Sequence, residues 1–182
     1  METIAALSST FDEMHRVAKG VTPAQLSNPT PCSEWDVRAL LGHAFGVVTG
    51  LGAAAGGRAP APFELDEGDI AGQFRRVADE ALASWRSPGV LERELEGGAG
   101  PMPGAQYASI NTLDTLVHAW DLARATGQQS DAPAELVEHT HAICQAIVTP
   151  EIRQFAGFDP AADAPANAPA IDRLAAFLGR RL

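Results

Sequence analysis

Asp114 and His118 stand four residues apart in Leu113-Asp114-Thr115-Leu116-Val117-His118, and His43 lies far upstream of both. On a helix, positions i and i+4 share one face about 6 Å apart, close enough for a carboxylate and an imidazole to hold one metal ion. A second helix carrying His43 alongside would add a third ligand. Three ligands of mixed histidine and carboxylate type leave a coordination position free, which is the arrangement of a reactive metal rather than a structural one. The plainer reading of the same spacing is an exposed pair on a solvated helix flank. Spacing alone leaves both open.

The helix that carries the pair must decide where it faces. Around a wheel of 100° per residue, Ile110, Leu113, Val117 and Trp120 form an apolar stripe. Tyr107, Asn111, Asp114, His118 and Asp121 form a polar strip directly beside it. A polar strip at the edge of a buried stripe faces a cleft or the interior, where a carboxylate is costly unless paired or metal-bound. His43 lies about 60° outside the apolar stripe of its own helix, at the boundary between core and water. His15 competes with it, since it falls within the stripe of the first helix beside Phe11 and Ala18. A buried, hydrogen-bonded core histidine is the simpler expectation for His15, and surface positions for His139 and His141. Cys32 precedes a helix N-terminus, where a thiolate is favoured, although a small residue in a tight turn explains it as well. Trp35 and Trp120 are expected to pack. No glycine-rich loop is followed by a Lys-Ser/Thr pair, and no GxSxG elbow occurs.

Helices are expected over 2–19, stopped by Gly20, and over a segment opening at Ser33 as N-cap with Glu34 and Asp36 in the first turn. That second helix carries Val37, Leu40, Leu41, Ala44, Val48 and Leu51 on one stripe and ends at Gly56-Gly57. Three prolines exclude helix from 22–31. Further helices are expected over 66–85, 106–126 with Gly127 as its stop, and 133–148. Residues 91–104 read as a long ordered loop with a short extended piece at 91–95. Residues 161–170 form a Pro/Ala-rich tether before a short terminal helix at 170–181. The architecture implied is an all-α, four-helix bundle with long crossover connections and an additional C-terminal helix, in one domain over 1–182.

Composition bounds the function. The chain has 182 residues, 46% hydrophobic, enough for one full core. Abundant Ala and few β-branched or aromatic residues favour helix. A net charge of −10, with basic pairs only at Arg75-Arg76 and Arg180-Arg181, argues against nucleic acid. No apolar run suggests a membrane span, and the acid-bearing N-terminus has no basic n-region of a signal peptide. A cytoplasmic protein is expected. Cys32 and Cys144 form no CxxC pair.

The segment Thr30-Pro31-Cys32-Ser33-Glu34-Trp35-Asp36-Val37-Arg38-Ala39-Leu40-Leu41-Gly42-His43 resembles the part of the DinB-like superfamily in which a Trp-led helix ends in a metal-binding histidine. The run from Leu113 to Gly127, with Trp120-Asp121 inside it, resembles the second signature of that superfamily. Both, with the Gly100-Pro101-Met102-Pro103-Gly104 loop, are more closely similar to the metal-binding domain of mycothiol-dependent maleylpyruvate isomerases and related actinobacterial proteins. The similarity runs from the first helix to about residue 148.

This resemblance implies metal ligands at His43, Asp114 and His118, a divalent metal such as zinc or nickel, and mycothiol delivered to the open position. Its partners would be a small-molecule thiol and an electrophilic substrate. In the isomerase, reversible thiol addition to a double bond allows rotation and then elimination. Many relatives have Glu or His where this chain has the shorter Asp114, which would draw the ion towards that helix. The full isomerase carries an additional C-terminal domain with no counterpart before Leu182. A thiol-dependent transferase or isomerase is therefore expected. The alternative is a non-catalytic metal-binding or stress-related bundle, working as a homodimer. Arg75 and Arg76 are candidates to orient an acidic substrate, with a solvated helix face as the simpler expectation.

Overall fold

The computed structural model describes residues 1–182 other than Glu34, Ala99, Ala156 and Gly157. Glu34, expected in the first turn of the second helix, thus lies outside the described residues. Four helices form the bundle: α1 (Thr3–Ala18), α2 (Val37–Ala55), α3 (Ile70–Trp85) and α4 (Gly104–Ala125). Helices α1 and α2 each pack against both α3 and α4. Helices α1 and α2 therefore stand diagonally, as do α3 and α4, and the links 19–36 and 86–103 must cross the bundle ends. Three shorter helices follow: α5 (Ala134–Ile147), α6 (Pro150–Phe155) and α7 (Ala170–Phe177).

The apolar stripes read from sequence account for the core. Phe11, Met14, Leu40, Phe45 and Phe74 are fully buried between the four helices, each contributing about 1.5–3 kcal/mol by leaving water. Gly52 permits the closest approach. A Cβ there would lie 2.7 Å from the Cβ of Ala81, so α2 and α3 meet nearly backbone to backbone. A second cluster joins Leu113, Leu116 and Val117 of α4 to Leu136 of α5 and Leu174 of α7. Helix α4 is consequently covered on two sides, and every residue from Thr115 to Ala123 is buried. The single stripe expected for α4 is one of two. Ala119, Leu122 and Ala123 supply the other, facing the bundle.

Several boundaries differ from expectation. Helix α2 is capped by Asp36 rather than Ser33, because the Asp36 carboxylate accepts the Ala39 N–H at 2.8 Å. Helix α3 begins at Ile70 rather than near Asp66, since Asp69 caps it by accepting the Gly72 N–H. The extended piece lies at Glu94–Gly97 (β1) and pairs with Gly100–Pro103 (β2) as an antiparallel hairpin. Tyr107 anchors it, donating its hydroxyl to the Gly100 carbonyl while its ring occupies the place of a Gly97 side chain. Helix α6 has no counterpart in the sequence reading. Helix α2 also has the length and mean hydropathy, 19 residues and 1.3, of a membrane span by composition alone, against the expectation above. Its packing between α3 and α4 accounts for that apolarity.

Glu13 on α1 fastens the bundle to the α4–α5 connection. It accepts from Arg16 Nε at 2.8 Å, Ser130 Oγ at 2.9 Å and the Asp131 N–H at 2.9 Å. Burial pushes its carboxyl upward, yet the hydrogen bonds from Arg16, Asp131 and Ser130 hold it below its ordinary value of 4.5. A depressed carboxyl contributes stability above its unfolded-state pKa and loses it as pH falls through the folded value. Glu13→Gln is expected to lower stability at neutral pH by about 1–3 kcal/mol. Urea denaturation from about pH 7 downward should show the difference between wild type and variant shrinking as pH falls below the unfolded-state carboxyl value and through the lower folded one.

Candidate metal centre

The N-terminal end of α2 is tied to the C-terminal end of α4 through the first crossing link. Asn28 donates to the Ala125 carbonyl at 3.0 Å, and Gln25 to the Thr126 carbonyl at 3.0 Å. The Val37 and Arg38 N–H groups return to Asn28 and Leu26. With both helix ends pinned, the second turn of α2 sets His43 against the middle of α4. Trp35 closes the contact, its ring centred 4.5 Å from that of His43 and 5.6 Å from that of His118.

Asp114 Oδ1 lies 3.3 Å from His43 Nε2 and 3.6 Å from His118 Nε2. All three ligand atoms fall within 4.8 Å of one another. Ligands at ~2.1 Å from a tetrahedral zinc stand ~3.4 Å apart, so the spacing suits one ion with little rearrangement. The second carboxylate oxygen, Asp114 Oδ2, is buried and has no hydrogen-bond partner. A bare carboxylate oxygen out of water is costly, and coordination would satisfy it. The donor set fits a divalent cation.

His118 is 6% exposed, with Asp121 beneath it at 0%. Its Nδ1 stands 3.0 Å from Asp121 Oδ2. Burial pushes Asp121 upward, but hydrogen bonding from His118 and the charge of Arg180 hold its carboxyl below the ordinary range. An ionised carboxylate only accepts, so Nδ1 carries the proton and Nε2 faces Asp114 and His43. Burial opposes charge on His118 itself. Asp114, the hydrogen bond to Asp121 and the contact with Cys32 overcome it and push the imidazole up to about 10. The surroundings favour positive charge at this point.

Beneath His118 the network continues beyond the expected residues. Arg180, past the end of α7 and 7% exposed, donates through Nε to Asp121 Oδ1 at 3.2 Å and through Nη2 to Asp121 Oδ2 at 3.1 Å. Nη2 also stands 2.9 Å from Cys32 Sγ, and the Cys32 thiol lies 3.3 Å from Asp121 Oδ2. Cys32, His118 and Asp121 also bring three ligand atoms within 4.8 Å. The guanidinium bonded to both Cys32 and Asp121 makes that set an ion-pair network rather than a second cation site. Cys32 is half-buried at the cavity wall, not a fully buried turn residue.

The other residues singled out from sequence lie elsewhere. Asn111 is buried and accepts from Thr115 Oγ1 at 3.2 Å. Trp120 packs and donates to Asp172 at 2.8 Å. His15 is half-buried beside Arg75 and Lys19, and burial, then those two charges, lower its pKa. Its ring is no part of the ligand cluster. Arg75 pairs with Asp12 and Asp79, and Arg76 with Asp69, on the outer face of α3. Neither lines the cavity at His43, Asp114 and His118. That cavity measures about 1050 Å³ and is walled by β2, α4, α5 and the segment after α6.

Comparison with known proteins extends these observations. Two uncharacterized proteins of Mycobacterium tuberculosis, from strains CDC 1551 / Oshkosh and H37Rv, are 33% identical to this chain, over 99% of it and 98% of their own length. Crystal structures of mycothiol-dependent maleylpyruvate isomerase and of a histidine-to-alanine mutant share its fold with a TM-score of 0.59 at 16% identity. The superposition covers 77% of this chain and 66% of the isomerase, so the chain spans slightly less than two thirds of that protein. The family model of the mycothiol maleylpyruvate isomerase N-terminal domain matches residues 7–123. That stretch includes His43, Asp114, His118 and Asp121 but stops short of α5, α6, α7 and Arg180. By this match the chain belongs to the mycothiol maleylpyruvate isomerase N-terminal domain family.

Proposed function

We propose that His43, Asp114 and His118 hold a divalent metal, zinc or nickel, and that the chain joins a low-molecular-weight thiol, mycothiol, to an electrophilic small molecule in the adjoining cavity. The observation that carries this reading is the Asp114 carboxylate at a large cavity, with Oδ1 near both imidazoles and a buried Oδ2 that has no hydrogen-bond partner. Family membership supports mycothiol as the thiol. A metal bound by three protein ligands would supply an open position and acidify a thiol placed there. The chain's own residues do the rest. Asp121 holds the His118 proton on Nδ1, Trp35 fixes both imidazoles by contact, and the cavity wall shelters the reacting groups from water.

The test uses protein reloaded with cobalt(II) and titrated with mycothiol, followed by turnover of a fluorogenic chlorobimane. In that reaction the C–S bond forms as the C–Cl bond breaks and chloride leaves. Expected results are an absorption change that saturates with mycothiol, and conjugation that falls at least ~100-fold in His118→Gln. A cobalt spectrum indifferent to mycothiol, with no conjugation, would establish a non-catalytic metal-binding bundle instead.

A further inference from the structure

We infer that the cavity selects uncharged electrophiles with an apolar body and rejects dianions. The reactive part of this inference rests on the proposed function, while the charge preference of the wall can be tested without it. A small dicarboxylate needs cationic or hydrogen-bonding groups to replace the water it gives up. Among the described residues lining the cavity, Arg180 is the one Arg or Lys. Its nitrogens are already engaged: Nε and Nη2 with Asp121 and Cys32, and Nη1 with the Leu178 carbonyl at 3.4 Å. Asp121, itself fully buried, cancels its charge.

In the metal-free protein Asp114 is offset by the His118 imidazole 3.6 Å away, and Asp159, the one further acid among the described lining residues, repels anions. A divalent ion on Asp114 would leave one net positive charge, which the thiolate of a bound cofactor offsets. No further Arg or Lys among the described lining residues is then left for a second or third negative charge. The net charge of −10 adds long-range repulsion. Of the rest of the wall, Ser33 and Gln106 offer neutral hydrogen-bonding groups without charge, and Met102, Ile110, Ile147, Ile152 and Phe158 give it an apolar surface. Ile152, 43% exposed, adds an apolar group to the lining where it is open to solvent. Such a wall stabilises a ligand by covering its carbon skeleton.

The first measurement needs neither metal nor thiol. Metal-free protein is titrated with N-phenyl-1-naphthylamine, which is neutral, and with 8-anilino-1-naphthalenesulfonate, its anionic counterpart. The neutral dye should bind at least ~10-fold more tightly. Ile152→Lys introduces the missing cation at an exposed position and should raise sulfonate affinity ~10-fold, while Ala83→Lys, exposed on α3, which contributes no residue to the cavity lining, should not. Equal affinity of wild type for both dyes would overturn the inference. So would an equal gain from the two lysine variants.

The second measurement offers diethyl maleate or maleate to metal-loaded protein with mycothiol. Addition forms a C–S bond at one alkene carbon and places the thiol's proton on the other, so atoms balance without an oxidant. The diester should be consumed at least ~100-fold faster relative to the uncatalysed reaction, and equal acceleration of both would sink the inference. Acceleration of neither contradicts the proposed function, and the dyes then decide the wall's preference.

Discussion

Asp121→Asn is expected to cost the metal-free protein about 3–5 kcal/mol, a fall in Tm on the order of 10 °C. Asp121 is completely buried and offsets Arg180 while accepting from His118. The amide keeps the shape and one acceptor but leaves the guanidinium, 7% exposed, without a counter-charge. Removing one partner of a buried pair strands the other, which is why the loss exceeds the net value of the pair itself. Arg180→Met in the same chain should therefore recover part of the loss, and the coupling can be read from a double-mutant cycle by thermal or urea unfolding. A similar stability for wild type and Asp121→Asn would mean that Arg180 escapes to water and that the network is not structural. The same substitution should weaken metal binding about 10-fold, since the amide orients the imidazole less firmly than a carboxylate.

This network also shows where sequence reading reaches its limit. The bundle was legible because helical period and proline and glycine stops are local signals, and they place α1 to α5 within a few residues, although the capping residues Asp36 and Asp69 were not singled out as caps. The pair Asp114 and His118 was legible for the same reason, being one helical turn apart. Its burial is left open by the sequence. The wheel gives α4 one apolar stripe, and a polar strip beside a single stripe faces either a cleft or water. In the structure Trp35, His43 and Arg180 meet that strip, which becomes the floor of a cavity. Arg180 carries no periodic signal at all. It lies beyond a short helix, and only the fold brings it within 3.1 Å of Asp121 and 2.9 Å of Cys32. Cys32 likewise reads as a turn residue until α4 and the C-terminal segment meet it. The β-hairpin was missed because its strands are held by one tyrosine and close-packed glycines rather than by alternating apolar residues.

The three proposed ligands, His43, Asp114 and His118, are not expected to contribute equally to metal affinity. His118→Gln should weaken binding at least ~1000-fold, and His43→Gln only ~10- to 100-fold, measured by chelator competition and by the metal-induced shift in unfolding. His118 is held on every side: its side chain is 8% exposed, Asp121 fixes its proton on Nδ1, and Trp35 lies against its ring. Its Nε2 is therefore aimed before any metal arrives, and little ordering is needed on binding. His43 has a side chain 34% exposed at the edge of the cavity, so water can enter and take the vacated position. Asp114→Asn should fall nearer His118, because it removes the anionic donor whose buried Oδ2 lacks any other partner. If His43→Gln and His118→Gln lose equal affinity, the support that Asp121 gives His118 adds nothing to binding. If neither loses any, the ion sits elsewhere. A steep order from His118 to His43 would tie the metal to the buried wall of α4, with its open side towards the cavity where a thiol and its electrophile would meet.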